Sequence, residues 1–182
     1  MVKISDQEIL AQFHNPATKE RAFQILVQKY QEKLYWHIRR IVVDHDDTND
    51  VCQNMFIKVW RNLEKFQQNS KLYTWLYRIA TNESLTFINK RKRQKSSPLE
   101  SDGYDLSAQL KADPFFEGDE VQILLQNAIA TLPEKQRIVF LMRYYDNMKY
   151  DDMAVVLETS VGALKASYHH AVKKIEKYIK GR

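Results

Sequence analysis

Cysteine, glycine, proline and long apolar runs are all scarce in this chain, and each scarcity removes a class of protein. Cys52 is the one cysteine, so there is no internal disulfide and no zinc site built on cysteine, which fits a reducing compartment and a small core-filling role. Four glycines and four prolines in 182 residues leave few sharp turns, which disfavours a sandwich or barrel and favours helices with few connections. Asp6 and Glu8 interrupt what would have to be the apolar stretch of a signal peptide, and no later run approaches membrane-spanning length. The expectation is a cytoplasmic protein with no membrane insertion.

Chemistry is scarce as well. No glycine loop is shaped to cradle a phosphate, and Ser167, His169 and His170 are too local to build a catalytic geometry, so no catalytic residue, cofactor or enzymatic activity is expected. Adjacent helical residues point about 100° apart, which argues against His169 and His170 sharing a metal. Asp44 to Asp50 crowds carboxylates around His45 but lacks the glycine and distant glutamate of a calcium loop. Its acids read as favourable charges at the start of the next helix, not as metal ligands.

What the chain does have is apolar periodicity and clustered charge. An apolar content of 44% supports ordinary cores, and 28 basic against 23 acidic side chains give a formal charge of +5, which points to an anionic partner. Acids gather at Glu100, Asp102, Asp105, Asp113, Glu117, Asp119 and Glu120 against the single base Lys111, following the helix break Ser96-Ser97-Pro98. This composition predicts an extended acidic linker over 96–119, between a domain at 1–95 and another at 120–182. The fold class is therefore all-α, two small helical domains joined by an acidic flexible linker.

Taken in order, Ser5-Asp6-Gln7-Glu8 has the form of a capping box opening a short helix to about His14. Asn15-Pro16 restarts the chain, with the proline in a first helical turn, and Phe23, Leu26, Tyr30, Leu34, Ile38 and Ile41 form an apolar stripe ending near Val43. Val51, Met55, Val59 and Leu63 recur along one face of the next helix, while Phe56 and Trp60 lie off that stripe on a face expected to stay uncovered. After the polar loop Gln67 to Lys71, the segment from Leu72 carries Tyr73, Trp75 and Tyr77, then ends in Asn89-Lys90-Arg91-Lys92-Arg93-Gln94-Lys95. Leu72, Leu76 and Ile79 read as core. Rings beside a cationic helix end suit a nucleic acid whose bases have left the stack, because rings hold bases and cations hold phosphates.

In the C-terminal part, Val121, Leu124, Leu125, Ala128, Ile129 and Leu132 share a helical face, and Pro133 starts a helix running to Tyr144 or Tyr145. A short helix from Tyr150 to Leu157, a turn at Glu158-Thr159-Ser160 and a longer helix capped by Ser160 make the outline of a helix-turn-helix. In that last helix Leu164, Tyr168, Ala171, Ile175 and Tyr178 fall in one sector, with Gly162, Ala166, His169, Lys173 and Lys177 opposite, flanked by Lys165 and His170. Small residues permit close approach to a major groove and lysines neutralise the backbone.

These residues resemble an extracytoplasmic-function sigma factor, the promoter-recognition subunit of bacterial RNA polymerase. Asp50-Val51-Cys52-Gln53 through Phe56-Ile57-Lys58-Val59-Trp60-Arg61 is similar to the family's clamp-binding helix. Tyr73-Thr74-Trp75-Leu76-Tyr77-Arg78-Ile79-Ala80-Thr81-Asn82 is similar to its minus-ten signature. Leu132 to Arg137, with Tyr150 to Ala154 and Ser160 to Lys165, resembles the domain that docks the polymerase flap and binds the minus-thirty-five element.

The resemblance implies core polymerase binding through Asp47, Asp50, Gln53, Phe56 and Trp60. It implies capture of an unstacked promoter base by Asn69, Ser70, Lys71, Tyr73, Trp75, Arg78 and Asn82, with Lys90, Arg91 and Arg93 on phosphates. Upstream duplex would meet Ser160, Lys165, Ser167, His169, His170 and Lys173. Family members are commonly held by an anti-sigma partner. Two departures stand out: Glu158 replaces a frequent turn glycine, and Ser167, His170 and Val172 replace frequent arginines. The competing readings are a stand-alone helix-turn-helix regulator of duplex DNA and an RNA-binding helical protein.

Overall fold

A chain with so few breakers folds into long rods joined by short turns. The computed structural model describes residues 4–95 and 120–181, so the acidic linker lies outside the described residues. The N-terminal helices are α1 (Asp6–Phe13), α2 (Lys19–Val42), α3 (His45–Asn62) and α4 (Leu72–Lys95), with a 3-10 turn at Leu63–Lys65. The C-terminal helices are α5 (Glu120–Ala130), α6 (Glu134–Tyr144), α7 (Tyr150–Leu157) and α8 (Val161–Lys180). No strand occurs among the described residues.

The helix starts follow from capping chemistry. The Ser5 hydroxyl accepts the Glu8 N–H at 3.2 Å, and the Glu8 carboxylate takes the Ser5 N–H at 2.7 Å, the reciprocal box read from the sequence. Asp44 caps α3 by accepting the Asp47 N–H at 3.0 Å, and Asp46 and Asp47 occupy the first turn, where the helix dipole favours negative charge. Pro16 corrects the reading above. The Asn15 side chain accepts the Ala17 N–H at 3.1 Å and the Thr18 N–H returns to the Asn15 carbonyl at 3.0 Å, so the proline sits in a turn and α2 begins only at Lys19.

The predicted stripes of α2, α3 and α4 are largely buried, whereas Val121, placed on the α5 stripe, is exposed and Leu124 and Leu125 are half-buried. Leu26, Leu34, Ile38, Met55, Val59, Leu63 and Leu76 are fully enclosed where α2, α3 and α4 pack together, and Ile79 is half-buried. Phe56 and Trp60, expected to stay uncovered, are half-buried. α1 and the start of α2 cover them in part: the Trp60 ring meets the edges of Phe13 at 5.4 Å and Phe23 at 5.0 Å, and Phe23 meets Phe56 at 6.5 Å. The Lys19 ammonium lies 5.1 Å above the Trp60 ring, adding a cation–π contact.

In the C-terminal bundle α6, α7 and α5 pack around α8 over Ile129, Leu141, Met142, Met153, Leu164 and Ala171. The Phe140 ring stacks between Tyr144 at 5.1 Å and Tyr168 at 5.7 Å. The helix-turn-helix is formed by α7, the turn and α8, with the Ser160 hydroxyl accepting the Ala163 N–H at 3.2 Å. Glu158 adopts the left-handed conformation, φ 50° and ψ 45°, where glycine is unstrained and a side chain costs about 1 kcal/mol. The two bundles meet where α7 lies on α4 and α6 on α2, and their buried apolar side chains form one continuous cluster.

Two outcomes follow from this packing. Phe13→Ala empties a fully enclosed site and unseats Trp60; urea denaturation followed by tryptophan fluorescence should show a loss of about 3–5 kcal/mol. Burial in the apolar surroundings of α2 and α3 pushes the Cys52 thiol up to about 11. A shift of two units above the ordinary value leaves roughly a hundredfold less thiolate, so disulfide-forming reagents at pH 8 should label the folded chain far more slowly than the urea-unfolded one.

Candidate nucleic-acid and protein interfaces

Helical geometry spreads the candidate residues of α3 around half the helix, from Asp47 through Asp50 and Gln53 to Trp60 and Phe56. Nine residues separate Asp47 from Phe56, a rotation of about 180° at 100° per residue, so the two point in opposite directions. Asp47, Asp50 and Gln53 line a cleft of ≈ 690 Å³ between α3 and the end of α4, opposite Phe87, Lys90 and Arg91. Phe56 instead opens on a recess of ≈ 350 Å³ toward α2, beside Gln31, Tyr35 and Cys52. The five residues assigned to polymerase by resemblance therefore span half of α3, with Asp47 and Phe56 at opposite ends of the arc and Gln53 within about 20° of Trp60.

The cationic end of α4 is also divided. The Arg91 guanidinium is paired with the Asp47 carboxylate, so it stands with the α3 acids and not beside the aromatic rings. Burial raises the Asp47 carboxyl above its ordinary range, and the Arg91 charge partly opposes that rise. Lys90 lines the same cleft; Arg93 is exposed. This departs from the expectation that Lys90, Arg91 and Arg93 act together as a phosphate clamp.

At the other end of α4, Lys71, Trp75, Arg78 and Asn82 fall within roughly 60° of one another around the helix. Asn69, Lys71 and Asn82 are exposed, and Ser70 and Arg78 are partly so. The Trp75 ring is half-buried against Phe66 at 5.0 Å, a support the sequence reading did not single out. Tyr77 is buried, 4.8 Å from His37 and 4.5 Å from Tyr73, and serves as a floor. Burial, with the Asp146 and Asp152 carboxylates adding to it, pushes the Tyr73 hydroxyl up to about 12.

The C-terminal bundle sits on this surface through acids. The Asp152 carboxylate takes the Lys71 ammonium at 3.2 Å and the hydroxyl of buried Thr74 at 3.1 Å, and Glu158 pairs with Arg78. Lys92 reaches Glu134 at 2.7 Å. The Asp146 side chain, 4% exposed, is held by Arg40 at 3.1 Å and by His37 Nδ1 at 2.7 Å. The Thr81 hydroxyl donates to the Tyr77 carbonyl at 2.7 Å, so its oxygen accepts from His37 Nε2–H at 2.9 Å and fixes the ring that meets Asp146. The Arg40 guanidinium also lies 4.6 Å over the Tyr145 ring.

On α8 the division by angle holds. Leu164, Ala171 and Ile175 are buried, while Gly162, Lys165, Ala166, His169, His170, Lys173 and Lys177 are exposed; Ser160 is exposed at the cap and Ser167 is half-buried. A side chain grown on Gly162 would meet nothing within 4 Å, so this face of α8 is open to close approach.

Comparison with known proteins falls on these same two bundles. Residues 26–94 match Sigma-70 region 2, and residues 122–175 match Sigma-70, region 4. The RNA polymerase sigma-H factor of Pseudomonas aeruginosa is 34% identical over 174 residues, covering 87% of this chain and 86% of that one. The ECF RNA polymerase sigma factor SigW of Bacillus subtilis is 30% identical over 167 residues, covering 87% and 89%. Among solved structures, CnrH in complex with the cytosolic domain of CnrY superposes with a TM-score of 0.72 at 21% identity over 97% of both chains. The sigma factor RpoE in complex with the anti-sigma factor NepR from Bartonella quintana gives 0.69 at 21% identity, over 87% and 96%, and shares the fold. Two region matches in the same order as the two bundles, together with relatives alike along almost nine-tenths of the chain, identify it as a member of the extracytoplasmic-function sigma factors, which direct transcription initiation by RNA polymerase.

Proposed function

We propose that residues 1–95 bind core polymerase and capture an unstacked minus-ten base, while residues 120–182 dock the polymerase flap and anchor the minus-thirty-five duplex. The observation that supports this most is the single face of α4 that carries Lys71, Trp75, Arg78 and Asn82 next to the loop Asn69-Ser70-Lys71. Cations, a supported ring and amides there provide for phosphate, base plane and base edge in turn. Opening a base step costs a few kcal/mol, and one stacked base returns about 1–3 kcal/mol, so capture drives melting once the polymerase holds the duplex in place.

Polymerase contact belongs to the α3 cleft, with Asp47, Asp50 and Gln53 on the clamp; Phe56 points away from Asp47, and Trp60, next to Gln53 around the helix, is braced by Phe13 and Phe23. On α8, Lys165 and Lys173 neutralise phosphate, Ser160 and the α8 N-terminus meet the backbone, His169 and His170 lie on the exposed side toward the duplex, and half-buried Ser167 stands at its edge. Joining two such weak contacts through one linker raises the effective concentration of the second once the first is made. The chain acts as a binding subunit in the cytoplasm and not as a catalyst. An anti-sigma factor is included among its partners, by analogy with the RpoE complex.

Reconstituted run-off transcription with core polymerase tests this directly: initiation from a linear duplex template is expected with the chain and not without it. A stand-alone regulator would give none. Trp75→Ala should lower run-off from duplex promoter at least tenfold and be largely rescued by a template already melted at the start site, since capture by the ring drives melting and a melted template no longer needs that step. Lys173→Ala should weaken binding to upstream duplex regardless of sequence. It should also make the salt dependence of log K shallower by about one unit, the signature of one lost phosphate contact.

A further inference from the structure

The contacts across the two bundles are segregated by sign. Every ion pair and histidine–carboxylate contact described there sets a base or histidine of the N-terminal bundle against an acid of the C-terminal one: Lys71 with Asp152, Arg78 with Glu158, Arg40 and His37 with Asp146, and Lys92 with Glu134. Two of those cations, Lys71 and Arg78, belong to the face assigned above to promoter DNA. Asp152 occupies its place as a bound phosphate oxygen would, taking an ammonium and a buried hydroxyl one turn apart at the start of α4.

From this geometry we infer that the acidic face of α7 and its flanking turns is an intramolecular stand-in for DNA. In the free chain it holds Lys71 and Arg78, two cations of the minus-ten face whose other members stay exposed, and it must release them before a promoter strand can pair with both. The inference rests on the assignment of that face to promoter DNA. The apolar contact between bundles gives closure its base, the nearly buried Asp146 fixes its register through His37 and Arg40, and the Asp152 and Glu158 carboxylates supply the competition for cations. The same chain thereby carries both the strand-holding surface and a competitor for it.

The experiment compares the full-length chain with a triple variant, Asp146→Asn, Asp152→Asn and Glu158→Gln. A charge-matched control changes three exposed C-terminal acids outside the seam: Glu120→Gln, Asp151→Asn and Glu176→Gln. Circular dichroism confirms helix content in each. Small-angle scattering should give a larger radius of gyration for the triple variant and an unchanged one for the control. Binding to a fluorescein-labelled duplex of mixed sequence with a central bubble, without polymerase, should tighten about tenfold in the triple variant beyond any change in the control, as expected if roughly a tenth of the free chain is open. A charge swap, Lys71→Glu with Asp152→Lys, should stay compact whereas Asp152→Lys alone expands.

An unchanged radius in the triple variant, or equal tightening in the control, overturns the inference while leaving promoter recognition intact. Failure of every chain to bind the bubble, together with failure of the wild-type chain to support run-off transcription with core polymerase, overturns the functional reading itself.

Discussion

A carboxylate almost sealed from water fixes how the two bundles sit. A carboxylate at that depth needs hydrogen-bonding partners, and those of Asp146, Arg40 and His37, both come from α2. Buried ion pairs add little net stability, yet removing one partner costs about 3–5 kcal/mol, so the node decides register more than affinity. Around it lie exposed pairs, Lys71 with Asp152, Arg78 with Glu158 and Lys92 with Glu134, each worth about 0–1 kcal/mol and weakened by salt. A seam of this kind has a defined geometry and a modest strength, which suits a surface that has to be given up to polymerase and DNA.

Glu158 shows the same balance at one residue. Its left-handed backbone carries strain that glycine would avoid, of the same order as the whole contribution expected from its exposed pair with Arg78. The residue therefore gains little for stability. What it adds is a negative charge placed over a cation of the minus-ten face, and that placement makes sense of its presence only when both bundles are considered together.

Much of this fold could be read from the residues in order. The Val51, Met55, Val59 and Leu63 stripe, the Ser5 capping box and the two faces of α8 are local features, set by 3.6-residue periodicity and by cap chemistry within four residues. Periodicity reports that a face is covered and says nothing of what covers it, so the ring cluster of Phe13, Phe23 and Trp60 stayed hidden. The opposition of Asp47 and Phe56 was available from spacing alone. Arg91 with Asp47 and Trp75 with Phe66 depend on how helices cross, and His37 with Asp146 joins residues 109 apart in sequence, beyond any pattern in the chain.

The central claim is that the same cations hold carboxylate in the free chain and phosphate in the initiating complex. Zero-length carbodiimide coupling reads this at one atom pair, because it joins an ammonium to a carboxylate only where the two are in contact, as Lys71 and Asp152 are. Peptide mapping should find the Lys71–Asp152 amide in the free chain and lose it when core polymerase and promoter DNA are added. An amide formed equally in the initiating complex would contradict the account.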